Sequence, residues 1–396
     1  MGTTAPRTPV LPPPTASTGA ARALAPDLAR GFMLLAIALA HIPLFVSNPG
    51  MGSKPLNEAG EFLLTLLVSN EARPLFVFLF GYGLAQLMRG RQQRGDDWTS
   101  IRKLLRRRGF WLFAIGLVHA VVIAPIDILT VYGLAAMLVA GMVRAKDSTL
   151  LWAAGVSFIP ATAVTAWLLR SELSGTAAEV GGSGFAASMS ADPFANMLTR
   201  LEMAPMGTPM TLAMVLPGVL FGIWAARRRF LDEPAAHYPL LGRAAVLLIG
   251  LSLAGKLPAA LMASGVWTTP SETAVLIASV AHPLTGYLGG IGLAALIGLV
   301  AVRLGRTRGP VTTAIEALGQ RSMTFYIFQS FVALTLFYPF TLGLTDDMGL
   351  AGAIGVAIAT WLVSLILAEA MRRANYRGPF ETLLRRLSYR QGARHH

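Results

Sequence analysis

The chain has no cysteine, and only 13% of its residues are charged. The first absence excludes disulfides, thiolate metal sites and a cysteine nucleophile. The second is about half the charge of an ordinary soluble domain. No GxxxxGK[ST] loop, no strand-borne GxGxxG and no HExxH spacing occurs, so the usual phosphate cradles and zinc sites are missing too. Residues 1–25 lack an apolar core of signal-peptide length and are rich in Pro, Thr and Ala, which points to a disordered cytoplasmic tail.

What is present is apolar: 54% of the 396 residues are hydrophobic, in blocks of roughly 20, the length that crosses a ~30 Å hydrocarbon core. The blocks fall near 28–47, 60–88, 104–124, 127–144, 149–170, 208–226, 243–265, 273–302, 322–343 and 350–371. The reading is an all-α, polytopic membrane bundle of about ten transmembrane helices. The net charge of +13 sits in short segments between blocks, so it reports topology rather than nucleic-acid binding. With the N-terminus inside, all but five of the 33 basic residues (Lys54, Arg73, Arg170, Arg200 and Lys256) face the cytoplasm. That supports an N-in, C-in topology in the inner (plasma) membrane. The bundle is expected over 26–376, with an external loop at 171–207 and a basic cytoplasmic C-terminal tail at 377–396.

Ionisable side chains inside an apolar span are costly, so each is a candidate site. In the first helix, Asp27, Arg30 and His41 share one face: eleven residues at 100° return His41 to within ~20° of Arg30. Asp27 and Arg30 could equally be a plain interfacial pair. The second block holds Glu71 and Arg73, of which at least one must reach another helix or a wet cavity. His119 ends the third block, and a short turn around Pro125 leads to Asp127 at a similar depth. A carboxylate beside an imidazole orients the ring and raises its basicity. Asp127 could also simply cap the fourth helix, where a negative charge is favourable. His282 precedes Pro283 in the eighth block, and Tyr326 and Gln329 share a face of the ninth. The run Arg106, Arg107 and Arg108 is either topogenic charge against anionic lipid or a docking surface for a phosphorylated ligand.

Four segments are similar to the YeiB-like family (domain of unknown function 418): DLARGFMLLAIALAH at 27–41, RPLFVFLFGYG at 73–83, RRRGFWLFAIGLVHAVVIAPIDILTVYGL at 106–134, and the C-terminal part with LGQRSMTFYIFQS at 318–330 and RGPFETLLRRLSY at 377–389. Two positions depart from that family's pattern, where Asn is common near position 41 and Lys near position 73. The family has no settled activity. It is distantly similar to transmembrane acyltransferases of the acyltransferase-3 type, in which the first helix carries Asp, Arg and a functional His. Asp27, Arg30 and His41 resemble that arrangement.

The polar stripe of the first helix, the pair of histidines at one depth and this resemblance together point to a membrane acyltransferase that would move an acyl group from a cytoplasmic acyl-CoA to a hydroxyl or amine acceptor near the outer face. His41, His119 and Asp127 would be catalytic. Asp27, Arg30, Glu71, Arg73, His282, Tyr326 and Gln329 would line the cavity, and Arg30, Arg106, Arg107 and Arg108 would meet the phosphates. No permanently bound cofactor and no metal is expected. The expected partners are membrane lipids, acyl-CoA and the acceptor, with a homodimer admitted and nucleic acid excluded. The competing reading is a proton-coupled transporter or exporter of a small molecule or lipid.

Overall fold

The computed structural model describes residues 23–175, 189–305 and 307–389. The expected 1–25 tail lies almost wholly outside them, as does the middle of the 171–207 segment. The described chain is helical throughout. Helix α1 spans Leu24–His41, α2 Lys54–Leu67, α3 Ala72–Gln92, α4 Trp98–Val118, α5 Leu129–Val139, α6 Asp147–Leu173 and α7 Pro193–Arg227. They are followed by α8 Tyr238–Ala263, α9 Glu272–Leu304, α10 Pro310–Gln320, α11 Ser322–Phe337, α12 Leu350–Arg373 and α13 Pro379–Ser388. Helix α7 starts at Pro193, so the second half of the expected external loop is helical.

The protein is a multi-pass membrane protein, but its helices are not ten equal spans. Seven helical segments are long and apolar enough to cross a bilayer, one of them the 39-residue stretch Lys54–Gln92 that joins α2 and α3. Three expected spans fall short. Helix α4 opens with a basic run, and α5 and α11 have 11 and 16 residues. At 1.5 Å per residue the last two reach only about 17 and 24 Å. Helix α5 is largely enclosed by other helices, with eight of its 11 residues buried, and α11 has seven of 16 buried. Irregular backbone at membrane depth is tolerated where protein covers it, and this lets two short helices serve inside the bundle.

The α4/α5 pair shows how small residues bring backbones together. A methyl group at Gly116 would collide with the backbone of Thr130, and one at Gly133 with the backbone of Phe113. Without a hydrophobic driving force between helices in lipid, such close approach is a main source of association. It also fixes the depth of the turn between the two helices, where His119 and Asp127 sit.

Helix α13 is docked on the bundle rather than trailing from it. Glu381 accepts hydrogen bonds from Met323 N at 2.9 Å, Thr324 N at 3.1 Å and Thr324 Oγ1 at 2.5 Å. Its carboxylate therefore caps the first turn of α11, where four amides lack intrahelical partners. Burial holds that carboxyl above its ordinary value, against the pull of these donors.

Replacing Gly116 by Val forces α4 and α5 apart. The expected cost is about 1–3 kcal/mol, seen as a lower melting temperature of the detergent-purified protein. Gly155→Ala is the control, because a methyl group there meets nothing within 4 Å.

Candidate functional site

Helix α4 does not stop cleanly. Its last turn widens into a π-helical turn, His119–Ile123, before the chain reverses at Pro125. Arg200 of α7 donates to Val121 O at 3.1 Å and so holds this turn from outside. His119 is 1% exposed, and its Nδ1 lies 2.9 Å from Asp127 Oδ1. An ionised carboxylate only accepts, so in a neutral ring paired with one, Nδ1 carries the hydrogen and Nε2 the lone pair. Asp127 Oδ2 accepts from Thr130 N at 2.6 Å. The same carboxylate thus begins α5 and orients the imidazole; the two readings open at the sequence level are both correct.

Tyr326 of α11 completes the turn. Its hydroxyl donates to Ile126 O at 3.0 Å and accepts from Ile128 N at 3.2 Å, one residue either side of Asp127. Its ring lies 5.4 Å from that of His119. His119 Nε2 and the hydroxyls of Thr130 and Tyr132 are buried and have no hydrogen-bond partner among the described residues. Buried polar atoms are nearly always satisfied, so a group of exceptions in one place marks atoms able to engage a ligand.

Two spaces meet at Tyr326. The small one, about 20 Å³, is lined by His41, Gln329, Ser330 and Tyr326 among apolar residues of α1 and α11. It has room for one water molecule. His41 interacts electrostatically with both His119 and Asp127. Gln329 donates to Leu34 O at 2.8 Å, which leaves its buried Oε1 unbonded.

The large space has a volume of about 1580 Å³. Its inner walls are Phe76, Phe80, Leu112, Leu129, Tyr132 and Tyr326. Its other end is basic, with Arg30, Arg91, Arg94, Arg108, Arg321, Arg377, Arg385 and Arg386 against one carboxylate, Glu381. Arg30 is held by Asp27 at 3.0 Å on the preceding turn. Of the α1 residues, Arg30 borders the large space and His41 the small one.

Other expected lining residues are elsewhere. Arg106 and Arg107 do not border the cavity. Each step along α4 turns 100°, and Arg108 alone of the run faces α13. Glu71, Arg73 and His282 border neither space. The helix breaks between α2 and α3, where Asn70 adopts φ 57°; Glu71 reaches α8 and Arg73 reaches α6 and α7, while His282 meets Asn70 from α9. Glu71 Oε1 lies 3.3 Å from Lys256 Nζ and accepts from Ser252 Oγ at 2.5 Å. Asn70 bonds His282 Nδ1 at 3.1 Å and receives Arg73 Nη2 at 3.0 Å. Gly289 leaves the room, since a methyl group there would collide with both Glu71 and Ser252. This second cluster joins several helices and is packed shut.

The comparison with known proteins can be placed on this geometry. Residues 225–391 match the family described as "Protein of unknown function (DUF418)". The match runs from the end of α7 through α13, and takes in Tyr326, Gln329 and the α13 arginines. Over 396 aligned residues the chain is 26% identical to the uncharacterized protein YxaH of Bacillus subtilis (strain 168), covering 92% of this chain and 93% of that protein. Over 390 residues it is 25% identical to the uncharacterized protein YeiB of Escherichia coli (strain K12), covering 92% and 95%. These agree with the resemblance read from the four segments. They carry no activity with them.

Several important residues were not candidates from sequence. Lys256 is fully buried and lies inside an apolar block, so the rule that flagged Glu71 flags it too. Arg377, Arg385 and Arg386 looked like tail charge. Their signal was Gly378-Pro379 followed by Phe380, Leu383 and Leu384 at helical spacing.

Breaking the buried pair on one side strands the other charge. Lys256→Met alone should lower stability by about 3–5 kcal/mol, and Glu71→Gln together with Lys256→Met should regain most of it, measured by thermal unfolding in detergent.

Proposed function

We propose that this chain is a membrane acyltransferase that takes an acyl group from a cytoplasmic acyl-CoA and passes it to a hydroxyl or amine acceptor nearer the outer face. In this reading the protein lies in the plasma membrane with both termini and the basic end of the large cavity in the cytoplasm. The observation that carries it is the His119 imidazole. Its Nδ1 is held by Asp127, its Nε2 is unpartnered, and its ring lies tilted beside that of Tyr326, the residue shared by the apolar, arginine-mouthed cavity and the His41 pocket.

The chemistry follows from that arrangement. The donor's phosphates rest near Arg30 and Arg108, and its acyl arm runs along Phe76, Phe80 and Leu129 toward Tyr326. His119 Nε2 takes the proton of the acceptor O–H or N–H as the new C–O or C–N bond forms. The C–S bond then breaks, and the imidazolium returns the proton to the leaving thiolate. Asp127 keeps Nε2 as the acceptor nitrogen and stabilises the charged ring. His41 and Gln329 face the acceptor side.

The buried Glu71–Lys256 pair with His282 favours a second reading, a proton-coupled transporter, because intramembrane ion pairs also serve as proton sites. That reading predicts proton-driven flux in proteoliposomes and no covalent product.

The test is label transfer from radiolabelled acyl-CoA to candidate acceptors by the purified protein. His119→Ala should lose roughly 100-fold or more of the rate, and Asp127→Asn should fall in the same direction while still folding. Equal rates for wild type and His119→Ala would refute the role given to His119.

A further inference from the structure

The basic end of the large cavity is walled by α13. Arg377, two residues before α13, and Arg385 and Arg386 in its last turn line the same space as Arg94, just beyond α3, and Arg108 of α4. None of these five is ion-paired to a described carboxylate. The last turn of α13 carries only about half a negative charge from its dipole, which two arginines exceed. Glu381, the single acid on the wall, is turned into the first turn of α11 and spends its oxygens on Met323 and Thr324. At the far edge the Arg91 guanidinium lies 5.1 Å over the Tyr389 ring, which ties α3 to the end of α13. Several guanidinium groups lining one open mouth, with the single carboxylate Glu381 among them, suit an anion of high charge and fork-like acceptors. Topogenic charge would be spread around the rim against lipid rather than gathered on the inner wall.

We propose that Arg377, Arg385 and Arg386 of α13, with Arg94, form a polyphosphate subsite that selects the donor by its phosphate count. This rests on the acyl-donor reading and deepens it. A soluble nucleotide-linked thioester carrying several phosphates is bound, whereas a phosphopantetheine arm with one phosphate, or a phospholipid acting as acyl donor, is discriminated against. Helix α13 is thereby part of the site, and its dock through Glu381 positions the clamp.

The experiment is calorimetric titration of the full-length protein in detergent with three probes: CoA, 4′-phosphopantetheine, and adenosine 3′,5′-bisphosphate, which lacks the pantetheine arm. Wild type should bind CoA and the bisphosphate, and phosphopantetheine roughly tenfold or more weakly than CoA. The Arg385→Ala/Arg386→Ala variant should lose about tenfold or more in affinity for CoA and for the bisphosphate, with phosphopantetheine little changed. Arg385→Lys/Arg386→Lys keeps the charge without the planar fork and should fall between. Unfolding temperatures of both variants show whether α13 has stayed docked.

If the alanine variant binds CoA as tightly as wild type, the subsite is wrong while the donor reading stands. If CoA binds neither protein, both fall. Phosphatidylglycerol in mixed micelles should leave CoA binding unchanged; displacement of CoA by that lipid would assign the arginines to a lipid headgroup and overturn the proposal.

Discussion

A hydrocarbon layer supplies no hydrogen bonds, so every polar group carried into it must find its partner in the protein. The carboxylate of Asp127 is where this constraint acts hardest. One oxygen holds His119 and the other starts α5, while the backbone on either side is tied to the Tyr326 hydroxyl. The reversal between α4 and α5 contains a π-helical turn and several non-helical residues, which lipid contact would not permit. It exists because α7, through Arg200, and α11, through Tyr326, satisfy it from two sides. The short helices α5 and α11 follow from the same enclosure.

Nine of the ten apolar blocks of the sequence each overlap one main helix, and the 60–88 block is shared by α2 and α3, because block length is what the bilayer selects. What length does not reveal is which helix meets lipid. Helices α5 and α11 read as spans but are inner elements, and their shortness depends on neighbours that hydropathy does not report. Contacts within one hairpin were legible: His119 and Asp127 are eight residues apart, and a tight turn leaves them few other places. Contacts between distant helices were not. Glu71 and Arg73 announced themselves as buried charge, yet nothing local showed that Lys256, Ser252 and His282 would receive them. The direction of that cluster is set by the break at Asn70 and by the space at Gly289, neither of which has a periodic signature. On α4 the arginine run was visible, but choosing Arg108 over Arg106 and Arg107 needs the position of α13.

The two polar clusters differ in a way that separates support from chemistry. Around Glu71 one carboxylate meets Lys256, Arg73 is held by the neutral acceptors Asn70 and Thr165, and the cluster borders neither space. Such a cluster ties α3 to α6, α7 and α8, and α9 to α2. Around Tyr326 the polar atoms are placed but incompletely bonded: His119 Nε2, Thr130 Oγ1, Tyr132 Oη and Gln329 Oε1. Unmet bonding capacity in a buried site is costly in the bare protein, by about 1–3 kcal/mol for each group. It can be retained where a bound molecule supplies the missing partner.

Charge is distributed along the same axis. Apolar walls separate eight arginines at one end of the large space from the imidazoles beyond Tyr326. A cation-lined mouth draws anions toward it, and a low-dielectric interior raises the cost of carrying a charge further. A molecule with a charged head and a neutral, extended tail satisfies both requirements only in one orientation, head at the arginines and tail toward Tyr326. A wholly charged molecule would stop at the mouth, and a wholly apolar one would leave the arginines unmet. The charge distribution therefore favours one orientation for an amphiphilic anion in the large space, its uncharged end toward Tyr326.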